Sequence, residues 1–352
     1  MRLAALIIKE FLAIKNDKKS LFLIFVTPFI QLFIFAFAIN LDVKNIDIAV
    51  LNHSGSDTSL EILRNFKGSN YVRTIKTVKS MDEAKHLIDK KEVIGVVVFG
   101  ENLENDGVGI FLDGRRSNNA GITLNYLNSI IQNTLNKEEN SKLIIRNLYN
   151  PNLNNYWWIL PNIFGAITLT SSIMLTAMSI AREREIGTFE QILVSPLSSL
   201  EILIGKLIPP FLISMIISTL MLGIVFFGFK VPLLGPLWLL YLGVMAFLFS
   251  ICSIGLFIST ISFSQQQATL YAFIFLIPSF LLSGFATAVD NMPSWLIPFT
   301  DFISLKFYLS FTKGIFLKDI SFFQSLEYIL PMIGLGGLSF VMAWLLFKKQ
   351  TS

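Results

Sequence analysis

The sequence is poor in charge, cysteine and histidine, and each shortage excludes something. Only 15% of its 352 residues are charged, against about 25% in a soluble domain, and the mean hydropathy is +0.63. That excludes a disordered chain and argues against an ordinary soluble enzyme. A single cysteine, Cys252, allows no disulfide framework. His53 and His86 stand far apart without cysteine companions, so no zinc pattern exists. The chain contains no G-x-x-x-x-G-K-[ST], no H-E-x-x-H and no G-x-S-x-G. Gly205-Lys206 is followed by Leu207 and preceded by no glycine-rich loop. The sequence therefore points away from ATP hydrolysis on this chain, and no basic run with interleaved aromatics suggests nucleic acid.

The charge that is present is unevenly placed. Residues 42–156 carry 28 of the 52 charged side chains, balanced in sign. The remainder is apolar enough to dissolve in a bilayer. Val231–Val289 contains no Asp, Glu, Lys or Arg, and neither do Ser20–Leu41, Asn147–Ala181, Leu207–Phe229 or Tyr328–Phe347. At about 20 apolar residues per span, six spans are expected, near 20–40, 157–181, 207–228, 236–259, 266–287 and 327–347. The fold class is thus an α-helical polytopic membrane protein, six transmembrane helices with an inserted mixed α/β extracytoplasmic domain. The first apolar run is too long for a signal-peptide core.

Ten basic residues (Arg2, Lys9, Lys15, Lys18, Lys19, Arg182, Arg184, Lys206, Lys348 and Lys349) fall on one side of that topology, and four (Lys230, Lys306, Lys313 and Lys318) on the other. The positive-inside bias places both termini in the cytoplasm of a multi-pass inner-membrane protein and the 42–156 module outside. Residues 1–19 read as a cytoplasmic interfacial helix, with Leu3, Ile7, Phe11 and Ile14 on one stripe and Glu10 disturbing it. Residues 20–41 are the first transmembrane helix. In the outer module, strands at 46–51, 71–78, 93–99 and 108–112 alternate with helices at 57–66, 81–90 and 117–135, with Asp57 as a cap and a closing strand at 143–148. Alternation of this kind argues for an α/β sandwich with a covered central strand. Tyr156, Trp157 and Trp158 suit an aromatic belt. Residues 157–352 form a five-helix region.

Between spans two and three lies AREREIGTFEQILVSPLSSLEILIGKLIPP. Phe189, Ile192 and Leu193 recur at helical spacing, and Pro196 breaks the helix before it. Ser198 or Ser199 can cap the next helix. The pattern fits an amphipathic helix able to carry force from a partner, or equally a solvated loop. This segment resembles the signature of the type-2 ABC exporter permeases, the ABC-2 membrane family. Matching positions include Glu183, Arg184, Glu185, Gly187, Thr188, Glu190, Ser195, Pro196, Ser198, Glu201, Gly205 and Lys206. FLDGRRSNNA (111–120), LYNPN (148–152) and LLSGFATAVDNMPSWLIPF (281–299) resemble further family elements. Ser304-Leu305 departs from a proline–tyrosine pair common there.

The resemblance implies a permease subunit of an exporter, not an enzyme. It would work with a separate ATP-binding-cassette ATPase subunit that holds ATP and Mg, no cofactor being on this chain. It would also pair with a second permease subunit, identical or a paralogue, with a periplasmic adaptor as a further candidate partner. It makes 182–200 a coupling helix, with Arg182, Glu183, Arg184, Glu185, Gly187, Thr188, Glu190, Ser195 and Pro196 as ATPase-coupling residues. The apolar face of Phe189, Ile192 and Leu193 would enter a groove of the ATPase. The turn 259–267 would be a second contact, and 284–325 an outer re-entrant-like segment. Along span two, Gly165, Thr168, Ser172, Thr176 and Ser179 share one face, a pattern that first suits ordinary close helix packing and is also a candidate translocation path. With no charge mid-span, an amphipathic or hydrophobic drug or lipid is the expected cargo. The alternatives are a membrane-anchored sensor or assembly factor and a gradient-driven secondary transporter.

Overall fold

The computed structural model describes residues 2–16, 18–38, 46–69, 71–101, 107–113, 117–135, 155–287 and 289–351. The expected closing strand at 143–148 and the LYNPN element lie outside the described residues. The chain divides into two units: residues 40–146, and residues 1–39 with 147–352.

The smaller unit is an α/β sandwich. Its strands are β1 (Ile46–Asn52), β2 (Val72–Thr77), β3 (Gly95–Phe99) and β4 (Val108–Leu112), in the order β2-β1-β3-β4. β1 is parallel to both its neighbours, and β4 runs antiparallel to β3. Helices α3 (Asp57–Gly68) and α5 (Ser117–Leu135) bring Ile62, Phe66, Leu127 and Ile131 against one face, where Ile48, Val50 and Val97 wait. Helix α4 (Met81–Asp89) covers the other, setting Ala84 against Ala49, Leu51 and Val96. A strand buried on both faces needs a continuous apolar run, which is what Val96-Val97-Val98 supplies. α3 is capped by Ser56, whose Oγ accepts the Ser59 N–H at 3.2 Å. Asp57, expected as the cap, is instead the first helical residue, where its charge favours the helix N-terminus. A register shift between Ile46 and Asp47 sets the Asp47 carboxylate opposite both Arg73 and Thr74, which donate to it.

The larger unit is helical. α1 (Arg2–Asn16) and α2 (Lys18–Ala38) precede α6 (Asn155–Ile186), the short α7 (Phe189–Leu193) and α8 (Ser199–Gly223), which runs on into a π-turn at Ile224–Gly228. α9 (Leu237–Ile261) and α10 (Gln265–Leu282) follow. A 3-10 turn at Val289–Asn291 and two helices, α11 (Ile297–Thr300) and α12 (Ser304–Leu317), lead to α13 (Phe322–Thr351). Four described helical stretches are long and apolar enough to cross a membrane: Ile159–Ile186, Ser199–Gly228, Leu237–Ile261 and Phe322–Gln350. The apolar stretch Phe25–Phe37 is shorter. α6 packs against α2, α8, α9, α10 and α12, so it is the axis of the unit. Trp157 is half-buried against the core that this packing builds, and Trp158's side chain lies outside the described residues. At the departure from the family pattern, Ser304 is buried and its hydroxyl meets that of Ser250.

Residues 182–200 are not one helix. The first five belong to the last turns of α6, which ends at Gly187 with φ +80°. The Thr188 N–H returns to the Glu183 carbonyl at 2.9 Å and the Gly187 N–H to Arg184 at 3.2 Å, a Schellman closure. After α7, Pro196 forbids helix continuation. Ser198 and Glu201 then form a reciprocal capping box that starts α8.

Candidate functional site

The segment from Glu183 to Ser198 is folded back on its own chain. In α7, Ile192 is buried and Phe189 and Leu193 pack beside it, against Ile202, Leu203, Leu256 and Phe347. Phe189 stands edge-on to Phe347, with ring centroids 6.0 Å apart. This corrects the expectation that these three side chains enter a partner's groove: at five residues, α7 has one apolar side, and the chain's own helices occupy it. What faces outward is Ile186, Gly187, Glu190, Gln191, Pro196 and above all Val194, which is 87% exposed. Ser195 donates to the Ile192 carbonyl, and the Pro196 carbonyl accepts from Arg2 Nη1 at 3.2 Å.

The charges of the segment are mostly turned inward. Glu183 is buried among Lys9, Lys206 and Thr188, all of which donate to its carboxylate. Lys206 is 1% exposed; its Nζ lies 3.0 Å from Glu183 Oε1 and 2.7 Å from Glu10 Oε1. Lys9 Nζ is 3.1 Å from Glu10. α1, α6 and α8 are thereby knotted by four ionic groups. Burial alone would lower the Lys9 pKa, but the neighbouring Glu183 and Glu10 raise it above the ordinary lysine value, so it is charged at neutral pH. Gly205 makes the knot sterically feasible: a methyl there would lie 2.5 Å from Leu6 Cδ2. Sequence reasoning used Lys9 and Lys206 for orientation and Lys206 as a signature position, but did not bring them together with Glu10. The available signal was the acidic residue that spoils the apolar stripe of α1, together with a lysine near the start of an apolar helix.

Arg184 and Glu185 perform a second tether. Arg184 Nη1 donates to the carbonyls of Thr260 and Ser262 at 2.9 and 2.8 Å, and Nη2 to Gln350 at 2.6 Å. Its guanidinium lies over the rings of Phe189 and Phe263, 4.8 and 5.4 Å from their centroids. Glu185 accepts the Gln265 N–H at 2.8 Å. The Ser259 hydroxyl accepts from the Ile180 and Ala181 N–H groups at 2.8 and 3.2 Å. The 182–198 segment and the 259–267 turn are thus one mechanical assembly. Arg182 is half-buried on the wall of a cavity, while Glu190 is exposed.

The five-residue stripe of α6 is mostly interior. Thr168, Ser172 and Thr176 are buried, and Ser172 and Thr176 donate to the carbonyls four residues back. Thr168 meets Ser218 of α8 at 3.4 Å. A methyl on Gly165 would lie 2.9 Å from Leu309. These four residues therefore mediate close helix packing. Ser179, by contrast, lines a cavity of about 930 Å3. The face of α6 that borders it carries Thr170, Ser171, Met174, Leu175 and Met178, opposite Thr27, Pro28 and Gln31 of α2 and the inner side of α1. The accessible surface is thus the face next to the one that the small-residue pattern marked.

The sequence pattern of the ABC-2 family transporter proteins matches residues 18–345. The chain is 32% identical to the probable multidrug ABC transporter permease YbhR of Escherichia coli (strain K12), over 99% of both chains. It is 29% identical to the probable multidrug ABC transporter permease YbhS of the same organism, over 99% of this chain and 97% of that one. It is also 33% identical to the inner membrane transport permease YhhJ of E. coli K12, over 63% of each.

Proposed function

The chain belongs to the ABC-2 transporter family, and on that premise we propose that it is the membrane-spanning permease of an exporter powered by ATP hydrolysed on a separate subunit. In this reading it crosses the inner membrane six times, with both termini cytoplasmic and the α/β unit outside. A second permease subunit, identical or paralogous, completes the pathway, and ATP and Mg reside on the ATPase. The cargo is an amphipathic or hydrophobic molecule, because the 59-residue stretch Val231–Val289 carries no charge to meet an ionic one.

The observation that carries the reading is the assembly around Arg184 and Glu185. It joins the 182–198 segment to the 259–267 turn, and α6, which it terminates, packs against α2, α8, α9, α10 and α12 as well as α7. A push on the exposed rim of Glu190 and Val194 would move both elements as one body and reach the cavity-bearing face of α6. The ATPase thus engages this rim rather than the apolar side of α7. In proteoliposomes containing permease and ATPase, an amphipathic dye should move away from the nucleotide side only with ATP and Mg. Movement that instead follows a proton or sodium gradient without ATP would reject the reading.

A further inference from the structure

The cavity between α1, α2 and α6 is polar at both ends and apolar at its waist. From Leu21 to Ala38, α2 has only two polar side chains, Thr27 and Gln31. They stand four positions apart and so share a face, and both line this cavity. On the same wall of α6, Thr170 and Ser171 are followed by Met174, Leu175 and Met178. Those three form the waist with Ile14 of α1. Beyond it α6 reaches Arg182 and Glu183, beside Arg2, Lys9 and Glu10. At about 1.5 Å of rise per residue, Ser171 and Glu183 are about 18 Å apart along the helix.

The two polar ends differ in what they leave unmet. The ionic groups are already engaged: Lys9 with Glu10 and Glu183, Arg2 with the Pro196 carbonyl, and Arg182 is partnered too. That end therefore selects no net charge. At the other end Thr170 donates to the Ala166 carbonyl. The side chains of Thr27, Gln31 and Ser171, by contrast, have no hydrogen-bond partner among the described residues. An amide within a span is costly without a partner, and glutamine there commonly bonds across to a neighbouring helix. The Gln31 side chain is half-buried and offers two donors and an acceptor.

We propose that this cavity binds an elongated, uncharged amphiphile with a hydrogen-bonding group at each end, one of them held by the Gln31 amide and the chain between them lying along Met174 and Met178. A volume of about 930 Å3 accommodates such a molecule, and methionine side chains adapt to flexible chains. A plain acyl chain would instead bring its methyl end to Gln31 and leave the amide unpaired. The proposal deepens the transport reading by naming a class of ligand, and it rests on the membrane placement of α2 and α6 in that reading. It requires neither ATP coupling nor export. A permease that binds such a molecule and transports nothing would leave it standing while removing the transport reading.

The test uses the full-length permease in lipid nanodiscs without ATPase, with radiolabelled dodecanol and α,ω-dodecanediol, binding being read against empty nanodiscs. The diol should bind, and Gln31→Met, which removes the amide at similar side-chain length, should weaken it about tenfold, as the loss of one buried hydrogen bond gives. Dodecanol lacks the second hydroxyl, so its affinity should be the same for the native chain and for Gln31→Met, which also reports that the variant is folded. Met178→Trp, which fills the waist, should weaken both compounds. No binding of the diol above empty nanodiscs, undiminished diol binding in Gln31→Met, an equal loss of both compounds in that variant, or unaltered binding in Met178→Trp would each overturn the proposal.

Discussion

Lys206 shows how much one side chain can hold. Buried ions cost desolvation, and removing a single partner leaves the others uncompensated, at about 3–5 kcal/mol. Lys206→Met strands Glu10 and Glu183 with only the half-exposed Lys9 between them. Its thermal unfolding midpoint in detergent should fall sharply. Lys206→Met/Glu183→Gln should lose clearly less than the two single variants together, because the second change removes a charge that the first left unpaired. Strictly additive losses would show that the groups do not interact. In the smaller unit, Asp47 gives a pH signature. Hydrogen bonding from Arg73, opposed by partial burial and reinforced by Thr74, holds its carboxyl below the ordinary carboxylate value. A depressed folded-state pKa means that its stabilisation is complete above the unfolded value, about 3.9, and disappears as pH falls through the folded one. Hydrogen exchange, corrected for intrinsic rates, should show β1 and β2 losing protection only below about pH 4. Asp47→Asn should show reduced protection at pH 7 and little of that acid-dependent step.

At the scale of elements, the junction between α6 and α7 depends on one glycine in the left-handed region. Gly187 has no atom within 4 Å of where a Cβ would sit, so its need is conformational, not steric. Gly187→Ala should destabilise by about 1–2 kcal/mol, and Gly187→Asn by less, since asparagine tolerates that region. Equal stability of all three in thermal unfolding would contradict the assigned closure. Arg184→Lys keeps the charge but not the fork that spans two carbonyls and Gln350. It should speed hydrogen exchange in the 259–267 turn and lower ATP-driven transport while leaving membrane insertion intact. The strands were legible in the sequence because their signal is local: alternation and apolar runs located β1, β2, β3 and β4 to within a residue or two. The break of the 182–200 helix was half-legible, through Pro196, whereas Gly187 reads as a break only once its φ is known. The ionic knot was not legible, since Glu10 and Lys206 lie 196 positions apart and no local pattern couples them. Of the two readings of the stripe on α6, close packing holds for four of its five residues, for a related reason. Small hydroxyl residues mark where helices approach closely, and a close approach leaves no open space, so the accessible face is the adjacent one.

For the molecule as a whole, the decisive question is which side each unit occupies, and the chemistry of Cys252 makes it answerable. That thiol is fully buried, so a Cys252→Ser background changes little at the surface. Two probe sites have exposed side chains outside the ionic knot: Lys85 on α4, and Val194, which closes α7 through its backbone N–H alone. If the α/β unit is outside, Lys85→Cys should react with an impermeant maleimide on intact spheroplasts, and Val194→Cys only after the membrane is opened. The physical basis is the distribution of basic residues, ten against four across the six-span topology, which the positions of the helices alone do not test. The coupling reading requires the same outcome, because ATP is available only in the cytoplasm and the exposed rim must face it. Binding of the ATPase should further protect Val194→Cys in opened membranes and leave Lys85→Cys untouched. If both sites react from outside, an even number of spans separates them and the rim faces away from the nucleotide. Energy could then not enter through α7, and the transport mechanism proposed for this chain would have to be abandoned.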